Sequence, residues 1–164
     1  MCFTLRLHMP AAPTQGGLTQ ALGPMTHTIS KFEAASHQLD WAIRLLIDHD
    51  APLPAITLAG AAEEILGKAL GDQSAHEDLV RAFAQSYGIE RKILSQQHLN
   101  KARNWLKHWD PGSEAEYEQF NLGEEATQGI ARGLSNMLSY NQSLPNEGPR
   151  FIAWVRASQE PAGP

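Results

Sequence analysis

The stretch AITLAGAAEEILGKAL, residues 55–70, follows the proline-interrupted sequence HDAPLP and is dense in Ala, Leu and Ile. Its apolar residues recur at helical spacing, and Gly60 and Gly67 leave room for the close approach of a neighbouring helix. The stretch stops at Gly71, a residue type common at helix C-termini. We predict that it forms the most buried helix of the protein.

Helical periodicity also marks the segments on both sides of this stretch. In residues 29–46, Ile, Phe and Leu side chains recur at helical spacing until the HDAPLP sequence interrupts them. After the central stretch, Ser74 with Glu77 three residues later has the form of a capping box, and the helix that it opens ends at Gly88. We therefore predict one helix before the central stretch and one after it.

The second half of the chain predicts two further helices. One runs from about Glu90 to His108 and ends before the sequence DPG, because proline and glycine cannot continue it. The next begins at Asn121, which can cap it, with Glu124 at the third position. The fragment FIAWVR, residues 151–156, is too short to be assigned to a helix or a strand by periodicity.

These segments and their short Pro/Gly connections predict an all-α fold, an antiparallel bundle of four or five helices. No alternating strand pattern stands out in the sequence. The bundle domain spans residues 29–142. It is preceded by residues 1–28, rich in Pro, Gly, Thr and Gln and expected to be disordered or loosely ordered, and followed by a Pro/Gly-rich tail, residues 143–164.

Length and cysteine content exclude several classes of protein. A chain of 164 residues has the size of one domain with a real core. Its single cysteine, Cys2, excludes a disulfide framework and a thiolate zinc cluster. No apolar run is long enough to span a bilayer, and His8 and Pro10 interrupt the segment where a signal peptide would be apolar. We expect a cytoplasmic protein without a membrane partner.

Charge is distributed unevenly along the chain, whose formal net charge is −5. Residues 91–109 contain five basic and no acidic residues, while the remainder has eight basic against 18 acidic residues, a formal charge of −10. The overall charge argues against a protein that coats nucleic acid by bulk electrostatics. The basic character is concentrated in the predicted fourth helix.

This basic segment contains the string RNWLKH, residues 103–108. Arginine followed by histidine after a gap of four to six residues occurs three times in the chain, at Arg44 to His49, Arg91 to His98 and Arg103 to His108. Only Arg103 is followed by an amide side chain, Asn104. At about 100° per residue Arg103 and His108 lie about 140° apart on a helix, so a second copy of the helix would be needed to complete one site.

The string RNWLKH resembles the signature of the HEPN superfamily, in which arginine, a polar residue and a later histidine lie on a small helical bundle. The resemblance implies a homodimer in which paired motifs form a composite site, and a metal-independent endoribonuclease of toxin or defence type without a cofactor. It also implies RNA as substrate and an antitoxin or inhibitor protein as partner. One HEPN subset has a tyrosine two positions after the histidine, where this chain has Asp110.

The residue types of the motif suit RNA cleavage. Histidine titrates near neutral pH, so His108 is predicted to transfer protons, and the Arg103 fork is predicted to stabilise the anionic phosphate. Asn104 would hold the imidazole or bond a phosphate oxygen. Three further polar residues are predicted to bind substrate: Lys107, Lys101 and Asn100.

Two other functions remain open from the sequence. One is a non-catalytic dimeric adaptor whose basic face docks an acidic partner, because basic residues are favoured near any helix C-terminus. The other is a metal-binding bundle in which Glu33, His37 and Asp40 act together with Glu63 or Glu64. The first three of these residues also fit an ordinary solvated helix face.

Overall fold

The computed structural model describes residues 26–108 and 118–159, and within these ranges all regular secondary structure is helical. The all-α prediction is confirmed. The α-helices are α1 (Lys31–His49), α2 (Pro52–Leu70), α3 (Ala75–Tyr87), α4 (Arg91–Ile93), α5 (Lys101–Lys107), α6 (Leu122–Asn141) and α7 (Gly148–Gln159). No helix in the described part of the chain has the length and apolar character needed to cross a bilayer. The predictions for residues 1–25, for the DPG sequence at 110–112 and for the last five residues lie outside the described ranges.

Local capping determines where several helices begin. Ser30 and Glu33 form a reciprocal capping box at α1, with distances of 2.8 and 3.1 Å between backbone nitrogens and side-chain oxygens. The predicted cap Ser74 accepts a hydrogen bond from the backbone of Glu77 at 3.4 Å. Asn121 likewise accepts one from Glu124 at 3.3 Å, as the sequence predicts.

The centre of the bundle is shared by α2 and α6. Burial of Ala55, Ala59 and Leu66 agrees with the prediction for the central stretch. α6 contributes eight buried residues and α2 seven, while only five residues of α2 are exposed against nine of α6, so α2 is the less exposed of the two and α6 shares the core with it. Hydropathy understates the burial of α6 because two of its buried residues, Arg132 and Asn136, are polar.

Close contacts at small residues define the direction of α6. Gly129 faces Ala59, and Asn136 lies beside Gly67, so α6 runs parallel to α2. Against α1 the order is reversed, because Gly133 faces Leu39 while Tyr140 stacks on Phe32 at 5.8 Å. A Cβ on Gly133 would lie only 2.6 Å from Leu39 Cδ2, so glycine is needed at this crossing.

The bundle is therefore not antiparallel throughout. α1 and α2 are joined by only two residues and pack along each other as an antiparallel pair. A long connection, residues 71–121, links α2 to α6, and the structure describes residues 71–108 and 118–121 of it. This connection returns the chain to the end of the bundle where α2 begins, which allows α6 to run parallel to α2.

The predicted fourth helix is interrupted, so the prediction of one continuous helix from Glu90 to His108 is wrong. α4 is followed by the π-helical segment Leu94–Leu99, and the backbone breaks at Asn100 before α5. Leu94 and Leu99 are both buried. They lie five residues apart, and the wide turn of a π-helix brings such a pair to the same side, whereas an α-helix would separate them.

The fragment FIAWVR belongs to α7, which packs on α1. Phe151 is buried in the core. The Asp40 carboxylate accepts a hydrogen bond from the backbone nitrogen of Glu147 at 2.7 Å, and Arg44 pairs with the Glu147 carboxylate at 2.8 Å. Asp40 is buried, so its interpretation as part of a solvated face is wrong. Its carboxylate instead binds the backbone just before α7.

Candidate functional site

The Arg103 side chain of α5 crosses α2 directly over Gly60. A Cβ on Gly60 would lie 2.5 Å from Arg103 Cδ, so only glycine leaves space for this path. Gly60 therefore allows a close approach to α2, as predicted, but the group that approaches is the Arg103 side chain and not the backbone of a neighbouring helix. The guanidinium of Arg103 continues along α2 to Glu64, one turn further on.

Glu64 is surrounded by three cations. Arg103 Nη2 and Lys68 Nζ each lie 2.7 Å from a Glu64 carboxylate oxygen, and Lys107 Nζ lies 3.6 Å away. The hydrogen bond from Lys68 and the charges of Arg103 and Lys107 hold the pKa of Glu64 below its usual range. We call these four residues the Glu64 cluster.

The preceding residue, Glu63, forms a different ion pair. Its carboxylate is bound in bidentate fashion by Arg132 of α6, at 2.8 and 3.1 Å, and both side chains are less than 10% exposed. Arg132 also donates to the carbonyl of Leu99 at 3.3 Å, at the end of the π-helical segment. This pair joins α2, α6 and the π-helical segment in the interior.

His76 of α3 lies close to the Glu63 pair. Its Nε2 is 2.9 Å from Ser95 Oγ, while its Nδ1 is 3.9 Å from Glu63 Oε1, beyond hydrogen-bonding distance. Burial lowers the pKa of His76 below its ordinary value of 6.5, although the charge of Glu63 opposes this shift. The imidazole is therefore neutral at pH 7.

A pocket of about 340 Å³ connects these groups. Its wall includes Glu64, Lys68, His76, Asn100 and Arg103, contributed by α2, α3 and the start of α5. Asn100 Oδ1, His76 Nδ1 and Arg103 Nε are buried and have no hydrogen-bond partner among the described residues. Such atoms are uncommon in folded proteins, and their collection around one pocket indicates a site adapted to polar groups.

The predicted catalytic residues do not share this pocket. Arg103 lines it, but His108 does not; His108 is exposed and terminates α5 with an extended backbone, at φ −121° and ψ 126°. Its backbone nitrogen donates to the carbonyl of Asn104 at 3.1 Å, and the Asn104 side chain is half-buried. Within one chain the structure therefore presents Arg103 and His108 at separate places on the surface of α5.

The predicted substrate-binding residues also separate. Lys107 joins the Glu64 cluster, and Asn100 lines the pocket. Lys101 instead pairs with Glu118 at 3.0 Å and lies over the Phe120 ring at 5.7 Å from its centroid. Only part of the predicted basic face thus faces the pocket.

The basic segment of the sequence is largely neutralised in the fold. Four of its five basic residues pair with glutamates of other segments: Arg91 with Glu77, Lys101 with Glu118, and Arg103 and Lys107 with Glu64. A charge excess along the chain is therefore not an equal charge excess on the surface.

Four of the five alternative metal ligands, all except His37, have other partners. Glu33 belongs to the capping box of α1, Asp40 holds the start of α7, and Glu63 and Glu64 bind arginines. Across residues 26–108 and 118–159, no group of three or more His, Cys, Asp or Glu side chains is placed to hold a metal ion.

Sequence reasoning did not identify His76, Lys68 or the role of Glu64. The available signal was the Glu63-Glu64 pair within a mostly apolar helix, because carboxylates carried into an interior require partners. Lys68 follows Glu64 at i+4, but nothing local indicates that the other partners come from α5 and α6. Comparison of the chain with protein-family models, with curated protein sequences and with solved structures finds no match.

Proposed function

We propose that this protein is a HEPN-like, metal-independent endoribonuclease of toxin or defence type that acts as a homodimer. The observation that carries the proposal is the arrangement of α5. Arg103 reaches a cluster of cations at one side of this short helix, and His108 stands exposed at its C-terminal end. A dimer that opposes two such helices would bring the His108 of one chain to the Arg103 of the other.

The division of labour follows from the chemistry of the side chains. His108 either accepts the proton of the attacking 2′-hydroxyl or donates a proton to the leaving oxygen, since imidazole suits both tasks near neutral pH. Arg103 stabilises the charge that develops on the phosphate, and Asn104 orients the imidazole or the phosphate. Lys107, Lys101 and Asn100 bind the RNA, and no metal or cofactor is required.

An apolar surface beside the motif supports self-association. Leu53 of α2 and Trp105 of α5 are 45% and 40% exposed, and both line a groove of about 430 Å³. Glu118 and Gln119 supply polar surface to this groove, and Leu106, Phe120 and Leu122 add apolar surface. Burial of such residues against a second copy would stabilise a dimer in which the two α5 helices approach each other.

The same features favour a second function, a non-catalytic dimeric adaptor. Arg103 already has a carboxylate partner in Glu64, so its charge is partly compensated before any ligand binds. An adaptor would use the groove and the basic rim to bind a partner protein, such as an inhibitor. The nuclease proposal requires cleavage, whereas the adaptor requires only binding.

The experiment is cleavage of single-stranded RNA in the presence of EDTA, combined with sedimentation analysis. We expect a dimer at micromolar concentration, and loss of cleavage at least a hundredfold in Arg103→Ala and His108→Ala, in line with the usual contribution of acid–base and electrostatic groups. His49→Ala and His98→Ala, which alter the other arginine–histidine spacings, should retain activity.

Circular dichroism and sedimentation of each variant separate a catalytic loss from unfolding. Equal losses in all four variants would mean general destabilisation and would contradict a site at α5. A dimeric wild-type protein that cleaves no RNA would exclude the nuclease and leave the adaptor. A monomeric wild-type protein would contradict the composite site.

A further inference from the structure

The Glu64 cluster contains more positive than negative charge. One carboxylate faces Lys68, Arg103 and Lys107, so the four side chains carry a formal charge of +2. Glu63, the adjacent residue on α2, faces Arg132 in a balanced bidentate pair. The excess of cations is therefore specific to the cluster that includes the motif arginine.

Neighbouring carboxylates do not cancel this excess. Of the acidic residues that line the same pocket, Glu63 is held by Arg132, and Glu77 is bound by Arg91. Asp72 is the remaining acidic residue of the pocket wall. With Glu63 and Glu77 each neutralised by its arginine, Asp72 reduces the formal charge of +2 on the cluster to +1. The surroundings thus favour an additional anion.

The cluster is also accessible to such an anion. The side chain of Glu64 is 38% exposed, those of Lys68 and Lys107 are 77% and 31% exposed, and that of Arg103 is 19% exposed. Ion pairs at this exposure contribute little to stability because water screens them. A backbone phosphodiester carries the same single negative charge as the carboxylate and likewise offers two strong acceptor oxygens, so it can replace Glu64 without leaving the cations unpaired.

From this geometry we infer that Lys68, Arg103 and Lys107 form one binding subsite for a phosphate of the RNA backbone, with Glu64 as its displaceable internal counter-ion. The choice of RNA as the source of the phosphate rests on the proposed function. The inference adds two residues of α2, Lys68 and Glu64, to a motif that lies on α5. It gives Arg103 a binding partner in the free protein and another in the complex.

The test measures binding without cleavage, using fluorescence anisotropy of a labelled single-stranded DNA oligonucleotide, which lacks the 2′-hydroxyl nucleophile. We expect Glu64→Gln to bind roughly three to ten times more tightly than the wild type, because the competing carboxylate charge is removed. Asp78→Asn is the matched control. It removes one negative charge from an exposed ion pair with Arg81 and should change the affinity less than twofold.

A second pair of variants tests the subsite without changing Glu64. Lys68→Ala should weaken binding and reduce the slope of log affinity against log salt by about one, as expected when one phosphate contact is lost. Lys92→Ala removes the same charge from an exposed residue outside the cluster and should keep the wild-type slope. Both lysines are exposed, so neither substitution threatens folding.

The outcomes separate this inference from the nuclease proposal. Equal or weaker binding by Glu64→Gln, or equal salt slopes for Lys68→Ala and Lys92→Ala, would overturn the subsite. Competition by inorganic phosphate that is reduced in Lys68→Ala supports recognition of the phosphate group itself. If binding responds as expected while RNA remains intact, the subsite stands and the nuclease proposal fails.

Discussion

Two adjacent glutamates of α2 bind two arginines in contrasting ways. The Glu63 pair with Arg132 is bidentate and buried, and it connects helices of the core. The Glu64 pair with Arg103 has one short contact and lies at the rim of a pocket, where two lysines share the carboxylate. The exposure of the carboxylate, 4% at Glu63 and 38% at Glu64, thus distinguishes an arginine committed to the fold from one that can exchange partners.

Removal of the buried arginine would test this contrast most strongly. We expect Arg132→Ala to lower the free energy of unfolding by about 3 to 5 kcal/mol, because Glu63 is left buried without a counter-ion. Arg103→Ala removes a partner from an exposed carboxylate that keeps Lys68, so its effect should be clearly smaller. Urea denaturation of both variants measures the difference.

A double variant tests whether the destabilisation comes from the unpaired buried charge. Glu63→Leu combined with Arg132→Leu removes both buried charges and should recover part of the stability lost in Arg132→Ala. Similar destabilisation by Arg132→Ala and Arg103→Ala would contradict the assignment of different roles to the two pairs.

Two glycines of α2 provide a test of intermediate size. A Cβ at Gly60 would meet Arg103 Cδ at 2.5 Å, so Gly60→Ala should displace Arg103 and lower the free energy of unfolding by about 1 to 3 kcal/mol. At Gly67 the nearest atoms, from Asn136 and Ser74, lie at 3.7 and 3.8 Å. Gly67→Ala should therefore raise stability by about 0.5 to 1 kcal/mol through helix propensity.

Thermal or urea unfolding decides whether the two substitutions have opposite signs. RNA binding gives a second measurement, because only Gly60→Ala should disturb the guanidinium position. If both variants are stabilised equally, Arg103 does not need the space above Gly60.

The smallest expected effect is a pH dependence centred on His76. Its pKa in the folded protein lies below 6.5, so between the folded value and 6.5 the unfolded chain binds a proton that the folded protein does not. Stability should therefore fall as pH decreases through this window. His76→Gln should reduce that slope, as measured by urea unfolding at several pH values, and equal slopes in the two proteins would contradict the neutral, buried ring.

His76 also bears on the contrast between the glutamates. Its Nδ1 lies 3.9 Å from Glu63 Oε1, so protonation would place a second cation beside a carboxylate that Arg132 already neutralises. Burial outweighs that attraction and keeps the ring uncharged.

Much of the fold could be predicted because helix ends are encoded locally. The caps at Ser74 and Asn121 act on backbone groups three residues away, and short Pro/Gly sequences separate the helices. The interruption at Leu94–Leu99 could not be predicted in this way. It reflects the burial of Leu94 and Leu99 against the rest of the bundle, which periodicity within an assumed α-helix does not reveal.

The candidate site was predictable only in part. Arg103, Lys107 and Asn100 were identified from the basic segment, and the structure brings them to the Glu64 cluster or its pocket. His108 remains a prediction, since the proposed second chain would have to complete its site. Lys68 and His76 were missed because neither lies on the basic segment: Lys68 forms an ordinary i, i+4 pair with Glu64 on α2, and His76 lies on α3.

The helical class, most helix positions and the unusual composition of α2 can be predicted from local sequence, since they depend on periodicity, caps and glycines within a few residues. The partners that the two glutamates of α2 find on other helices depend instead on the tertiary fold. Arg103 meets Glu64 across 39 positions, and Arg132 meets Glu63 across 69. The connection that makes α6 run parallel to α2 brings these residues together. Local sequence does not show which helices such a connection places side by side.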